Sequence, residues 1–284
     1  MIVAIGSRPR PARLAFIRRH ALASAGAAII ATLILVAIFA PFLATYDPNT
    51  VNPAHILEAP SSAHWAGTDE LGRDLFSRVI WGTRPSLAVA FGIVTIAAVI
   101  GTLFGCVTGL LGGVVDTIVM RAVELVMALP GLVIALALTA ALGPSLVNLT
   151  IALGALGVPF YTRFARGQTL ALRQRPYVLV ARTMGASTIF IVIRHVIPNL
   201  VSSVIVVASL GLSGAILAGS GLSFIGLGAQ PPLAEWGALV NSGRQYILEQ
   251  WWYAVIPGAM ILMAAVAFNL LGDGVRDLLD PRTR

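Results

Sequence analysis

The chain has 284 residues, of which 57% are hydrophobic and 11% are charged, and its mean hydropathy is +0.88. Soluble domains carry about 25% charged residues, so this composition excludes a chain whose surface lies mostly in water. The formal net charge is +7, but the basic residues are all Arg and lie between the apolar runs, which excludes the clustered basic face of a nucleic-acid-binding protein.

Six apolar runs predict an all-α integral membrane protein, since a membrane helix needs about 20 apolar residues. The first run follows a basic stretch and is too long for a signal peptide, so we expect a retained anchor. An uncharged run from 125 to 162 is too long for one crossing, and Gly143-Pro144-Ser145 divides it into two. The predicted spans are 21–43, 85–111, about 117–142, about 146–162, about 196–222 and 251–272.

The distribution of Arg predicts the orientation of these spans. With the N-terminus in the cytoplasm, the six-span arrangement leaves only Arg73, Arg78, Arg84 and Arg244 outside and places every other Arg inside. Cytoplasmic segments of membrane proteins carry this excess of positive charge. We therefore expect a multi-pass membrane protein with both termini in the cytoplasm.

The chain reads as one membrane-embedded unit with two parts. Residues 1–84 hold the basic N-terminal segment, the first span and an external loop, and residues 85–284 hold a five-span core. In the external loop, Leu71, Leu75 and Val79 recur at helical spacing opposite Arg78. This pattern predicts an amphipathic helix at the membrane surface, which serves either as a docking surface or as a packing elbow into the second span.

The long inside loop, 163–198, is the segment with the most specific pattern. A short helix from Pro176 is expected to end at Gly185, because a glycine relieves left-handed strain past a helix end. A second helix, 188–196, leads to Pro198, which can open the fifth span in its first turn. The apolar content of this loop is too high for a solvated linker, which indicates a surface that another protein covers.

This loop resembles the cytoplasmic motif of permeases of ABC importers, written E-A-A, three residues, Gly, nine residues, I-x-L-P. Leu179 stands where the motif has Glu, and the spacing from Gly185 to Pro198 is kept. The motif falls on Leu179, Val180, Ala181, Gly185, His195, Ile197 and Pro198.

Three further stretches resemble the dipeptide/oligopeptide/nickel branch of these permeases, in its C-type subunit. They are 67–74, then 222–232 with 235–237, and finally 269–277 with 279–282. They occur in family order and cover nearly the whole chain.

The resemblance implies a permease subunit of an ATP-driven importer in the bacterial cytoplasmic (inner) membrane, most readily for di- or oligopeptides. It implies a second permease subunit in a heterodimer, two ATP-binding subunits that hold ATP and Mg²⁺, and an extracytoplasmic substrate-binding protein. It also implies that a coupling helix docks on the ATPase, which assigns ATPase coupling to Leu179, Val180, Ala181, Arg182, Thr183, Met184, Gly185, Ala186 and Ser187. Importers of nickel or glutathione in the same family remain alternatives.

Other classes of protein find little support in the residues. The chain has no Lys for a P-loop, and no base stands near the Gly-x-Ser-Gly pattern at 211–214, so we expect no catalytic residue and no cofactor in this chain. A secondary transporter, the alternative from another class, usually carries acidic or His residues at mid-membrane and inverted repeats.

Two sets of polar residues remain. His55 and His64 lack further clustered ligands, so no metal site is expected there. Small and hydroxyl side chains on the fifth span are candidates for the substrate pathway: Ser209, Ser213 and Ser220.

Overall fold

The structure, a computed structural model, describes residues 21–279. This range is helical apart from loops and one isolated antiparallel bridge between Thr68 and Asp74. The basic N-terminal stretch and the last residues, which support the predicted orientation, lie outside the described range. The helices within it are α1 (Ala21–Leu43), α2 (Leu75–Leu111), α3 (Gly113–Ala128), α4 (Gly131–Leu142), α5 (Leu146–Arg173), α6 (Pro176–Thr183), α7 (Thr188–Ile191), α8 (Ile197–Phe224), α9 (Trp236–Gly243) and α10 (Trp251–Leu279).

The all-α membrane class is confirmed at the level of four to five spans. Four helical stretches are long and apolar enough to cross a membrane, and α3 with α4 adds a fifth if the bent pair is one span. The four are Ala21–Leu43, Leu75–Leu111, Thr188–Phe224 and Trp251–Asp277. α5 has the length of a span, but its second half carries Arg163, Arg166 and Arg173.

The central core joins α1, α2, α5, α8 and α10. Leu33, Leu149, Ile216 and Phe268 come from four of these helices, and each is at most 2% exposed. The most extensive helix contact is between α2 and α5, where Gly101, Gly105 and Gly109 recur every four residues. A Cβ on any of these glycines would collide with α5. Small residues at this spacing let two membrane helices pack backbone to backbone.

The predicted third span is wrong as a straight helix. α3 ends at Ala128, α4 begins at Gly131, and the pair is bent by 92°. Pro130 causes the break, since it has no N–H to donate and disfavours helical geometry in the residue before it. Leu129 accordingly adopts the extended conformation, with φ −94° and ψ 146°.

The predicted inside loop, 163–198, is mostly helical. α5 continues through residues 163–173 to Arg173, because this stretch contains good helix formers and no proline. On the other side, Thr188–Phe224 is one continuous helix, so Pro198 lies within it. Val192–Val196 forms a π turn, in which the Ile197 N–H donates to the Val192 carbonyl. Such turns accommodate local strain within helices.

An Arg replaces a backbone hydrogen bond that a proline removes from α1. Pro41 cannot donate to the carbonyl of Ala37, four residues earlier in the helix. Arg84 of α2 donates its Nε to this carbonyl at 2.5 Å and its Nη2 to the Ile38 carbonyl at 3.0 Å. The guanidinium therefore satisfies the orphaned carbonyl and joins α1 to α2.

The external helix predicted before the second span is the start of α2. The helix begins at Leu75 and runs through Pro85 to Leu111. Its apolar side is buried, as at Leu75 and Val79, but so is its polar side, as at Ser77 and Arg78. A surface helix would keep its polar side in water, so this burial supports the packing elbow.

The short helix α9 is clamped between α2 and α8. Glu235 accepts a hydrogen bond from the Ala238 N–H that starts α9 and another from Ser86 of α2, each at 3.0 Å. Trp236 is fully buried and donates its Nε1–H to the Val79 carbonyl at 3.0 Å. A Cβ on Gly237 would collide with the Ser220 carbonyl of α8. The Glu-Trp-Gly stretch thus fixes α9 to the bundle, and burial raises the pKa of the Glu235 carboxyl.

We expect Glu235→Ala to destabilise the protein by about 2 to 3 kcal/mol, because it leaves the Ala238 N–H and the Ser86 hydroxyl without their acceptor. The loss is measurable as a lower Tm in detergent. Glu249→Ala is the matched control, since Glu249 is exposed. Equal Tm values for the two variants would show that the clamp does not contribute.

Candidate functional site

Residues 176–196, here called the protruding segment, correspond to the predicted pair of short helices. α6 begins at Pro176, whose fixed φ suits the first helical position and which lacks an N–H that would be unpaired there. α7 begins at Thr188, where the Ser187 side chain accepts the Phe190 N–H at 3.2 Å. The sequence therefore sets both helix starts.

The turn between the two helices is a Schellman motif centred on Gly185. The Ala186 N–H donates to the Ala181 carbonyl and the Gly185 N–H to the Arg182 carbonyl, both at 3.0 Å. Gly185 has φ +81°, a left-handed conformation that glycine adopts without a Cβ penalty. The predicted helix end at Gly185 is confirmed, although the last helical residue is Thr183.

The inner face of the protruding segment is anchored by a small apolar core of its own. Val178 and Val196 are fully buried, and this core lies against the end of α2 and the second half of α5. Its buried members are Cys106, Leu110, Ala165, Val178, Ile191, Val192, Val196 and Leu200. The inner face of the segment is therefore packed against the end of α2 and the second half of α5.

The outer face of the segment is apolar and exposed. Met184 is 81% exposed and Ile189 72% exposed. Five other large apolar side chains of the segment are also exposed, to a smaller extent: Tyr177, Leu179, Val180, Phe190 and Ile193. The charged side chains of the segment and of the turn before it are the exposed Arg175, Arg182 and Arg194. A soluble surface rarely exposes so many large apolar side chains together unless they form an interaction site.

The nine residues predicted for ATPase coupling lie on both faces of this element. Leu179, Val180, Arg182, Thr183, Met184, Gly185 and Ser187 are exposed, whereas Ala181 and Ala186 face the small core. Leu179, which replaces the family's Glu, lines an open groove of about 520 Å³ together with Arg173 and Arg182. Their role in coupling stays a prediction.

The three serines predicted for the substrate pathway share one side of α8, since they are four and seven residues apart. Ser209 and Ser213 are half-buried, and Ser220 is 5% exposed, with its backbone against Gly237 of α9. Ser209 bonds the Val206 carbonyl of its own helix at 2.8 Å. Their part in the pathway also stays a prediction.

The external stretch 67–74 folds around a buried carboxylate that sequence reasoning passed over. Asp69 is fully buried and accepts from the backbone N–H groups of Leu71 and Arg73 at 2.9 Å and from Arg73 Nε at 2.6 Å. Asp74 caps α2 by accepting the Ser77 N–H at 2.8 Å. A carboxylate four residues before an Arg, just ahead of a helix start, is the sequence signal for this arrangement.

Two family models match separate parts of the chain. A model described as the binding-protein-dependent transport system inner membrane component matches residues 101–284. A second model, described as the N-terminal TM domain of oligopeptide transport permease C, matches residues 14–60.

Curated relatives cover nearly the full chain. A probable D,D-dipeptide transport system permease protein of Escherichia coli K12 is 52% identical over 256 residues, which is 90% of this chain and 86% of the relative. A dipeptide transport system permease protein of Alkalihalophilus pseudofirmus is 40% identical, covering 96% and 91% of the two chains. A glutathione transport system permease protein of Pectobacterium atrosepticum is 41% identical, covering 95% and 89%.

We expect Gly185→Ala to loosen the protruding segment, because a Cβ in the left-handed conformation costs about 1 to 2 kcal/mol. Hydrogen–deuterium exchange at residues 184–186 should accelerate by about 5- to 30-fold, which is the factor equivalent to that energy. Gly214→Ala is the control, since Gly214 lies in α8 with open space around it. Unchanged exchange at 184–186 would contradict the turn's dependence on glycine.

Proposed function

The chain belongs to the family of binding-protein-dependent transport system inner membrane components, as a permease subunit of a bacterial ABC importer, and we propose that its cargo is a di- or oligopeptide. The named cargos of the three relatives described above are dipeptides, D,D-dipeptides and glutathione, which is itself a tripeptide. This shared chemistry favours a short peptide over a nickel complex. Membership of this family also argues against the alternative that the chain is a secondary transporter.

We propose six crossings, with both termini in the cytoplasm. The sixth crossing comes from the first half of α5, Leu146 to Thr162, which is uncharged and packs along α2. The Arg-rich second half of α5 then extends beyond the membrane on the side of the protruding segment. This assignment keeps Arg163, Arg166 and Arg173 on the cytoplasmic side, in agreement with the excess of positive charge there.

We propose that the protruding segment is the coupling element that seats in the ATPase. The observation that carries this proposal is its two-faced construction. The inner face is locked into a core with α2 and α5, whereas the outer face presents Met184 and Ile189 to solvent. An apolar outer face can bind a partner, and an inner face packed against α2 and α5 can transmit that partner's movement to the spans.

We propose that the apolar groove at the break between α3 and α4 receives the second permease subunit. The groove has a volume of about 670 Å³ and is lined by residues of α2, α3, α4 and α5, including Ile118, Leu125, Leu129 and Leu138. The family's transport systems contain a second permease, which is a partner of matching apolar chemistry. The bend at Pro130 opens this surface.

We expect Met184→Asp to reduce peptide uptake at least 10-fold while leaving the protein inserted in the membrane. A carboxylate there places an unpaired charge in the docking surface, which costs several kcal/mol when desolvated. Leu248→Asp is the matched control, since Leu248 is 96% exposed and lies far along the chain from the protruding segment. Uptake of labelled dipeptide by cells, normalised to the inserted amount, is the measurement.

Gly185→Pro provides a second test of the same surface. Proline cannot adopt φ +81°, so the turn must rearrange while the spans stay intact. Normal uptake in well-inserted Met184→Asp and Gly185→Pro variants would refute the coupling role.

We expect the purified chain to hydrolyse no ATP, because the transport family assigns hydrolysis to separate subunits. A mild-detergent affinity purification should recover a second permease and one or two ATPases together with it, and ATPase activity should follow those subunits. Hydrolysis by the chain alone, or its isolation as a single species in several mild detergents, would contradict the proposed assembly.

A further inference from the structure

Three potential metal ligands converge in the loop before α2, at the end of the bundle opposite the protruding segment. His55, Glu58 and His64 each offer one ligand atom, and these atoms all lie within 4.8 Å of one another. His55 Nδ1 and Glu58 Oε1 are 2.7 Å apart, so the two donors already point to the same place. Two histidines alone would not make a metal site. Glu58 adds a carboxylate that lies close to both of them.

The backbone around these ligands is held by a buried threonine. Thr68, fully buried, donates its hydroxyl to the His55 carbonyl at 2.5 Å and accepts the Glu58 N–H at 2.8 Å. The carbonyl of His64 accepts the N–H groups of Ser61 and Gly67, both at 2.9 Å. The three ligands therefore stand on a loop whose hydrogen bonds fix their spacing.

A second carboxylate orients His64. Asp74, 3% exposed, accepts from His64 Nδ1 at 2.9 Å with one oxygen and caps α2 through the Ser77 N–H with the other. A carboxylate that accepts a hydrogen bond from Nδ1–H leaves Nε2 of the ring with its lone pair for a metal ion. Metal-binding histidines usually have such an outer partner, and here it is itself held by the helix start.

The donor set suits a borderline transition-metal ion. Two imidazoles and one carboxylate bind Zn²⁺ in three-ligand sites, at about 2.0 to 2.2 Å, with the fourth position open to water or another ligand. Ligand atoms around such an ion are about 3.4 Å apart in a tetrahedral arrangement. Atoms that now lie up to 4.8 Å apart must therefore approach by up to about 1.4 Å, and the 2.7 Å pair must separate by about 0.7 Å. His55 and Glu58, each with a side chain 43% exposed, have the freedom to make this movement.

We propose that His55, Glu58 and His64 bind one Zn²⁺ or a similar divalent transition-metal ion. The ion ties His55 and Glu58 to His64 and, through the hydrogen bond between His64 and Asp74, to the start of α2. This site is separate from the protruding segment. It stands or fails independently of the coupling role and of the cargo.

The test is a Zn²⁺ titration of the full chain, purified in detergent through a tag that contains no histidine. We expect about one Zn²⁺ per chain by elemental analysis after gel filtration, and a rise in Tm on adding Zn²⁺, because a ligand that binds the folded state stabilises it. His55→Gln and Glu58→Gln should each weaken binding at least 10-fold and abolish the rise in Tm. Both side chains are half exposed, so these variants should fold like the parent chain.

His195→Gln and Glu249→Gln are the matched controls, since they remove a histidine and an exposed carboxylate elsewhere in the chain. They should leave Zn²⁺ binding unchanged. Retained affinity in the His55→Gln, Glu58→Gln double variant would overturn the proposal. Binding by the parent chain that disappears on gel filtration would show an adventitious ion only.

Discussion

A polypeptide inside a bilayer finds no water to pair with its backbone, so each break in a helix needs a substitute partner from within the protein. Besides Pro85, Pro159 and Pro257, which lie within continuous helices, three other prolines in the described range have different outcomes. Arg84 supplies the bond that Pro41 removes from α1, a π turn lies just ahead of Pro198, and Pro130 divides a predicted span into α3 and α4. The shape of the bundle follows from how these breaks are satisfied.

The single helix α2 connects the two ends of the molecule. At about 1.5 Å per residue its 37 residues extend about 55 Å. Asp74 caps its first turn, directly after the loop that precedes the helix. Cys106 and Leu110, in its last turns, belong to the apolar core against which the protruding segment packs. Glycines at every fourth position let its second half pack closely against α5. A displacement at one end therefore reaches the other through a continuous, closely packed helix pair.

Hydropathy and helix-end chemistry predicted much of this architecture. Residues 21–43 are helical and end at the predicted Leu43, and the turn at Gly185 follows from one residue's conformational preference. Errors arose where a local signal was outweighed or overlooked. Pro130 lies within a long apolar run, and α5 continues past Arg163 because Arg is a good helix former. The meeting of His55, Glu58 and His64 depends on a loop conformation, which residue spacing alone does not specify.

The exposed outer face of the protruding segment has a consequence for the life of the newly made chain. Until a partner covers Met184, Ile189 and Phe190, the chain displays the kind of exposed apolar surface that chaperones and proteases recognise in misfolded proteins. The surface that we propose for partner binding is therefore also the surface that directs an unassembled subunit to degradation. Cellular abundance of this permease would then follow the supply of its ATPase, with surplus copies removed by quality control.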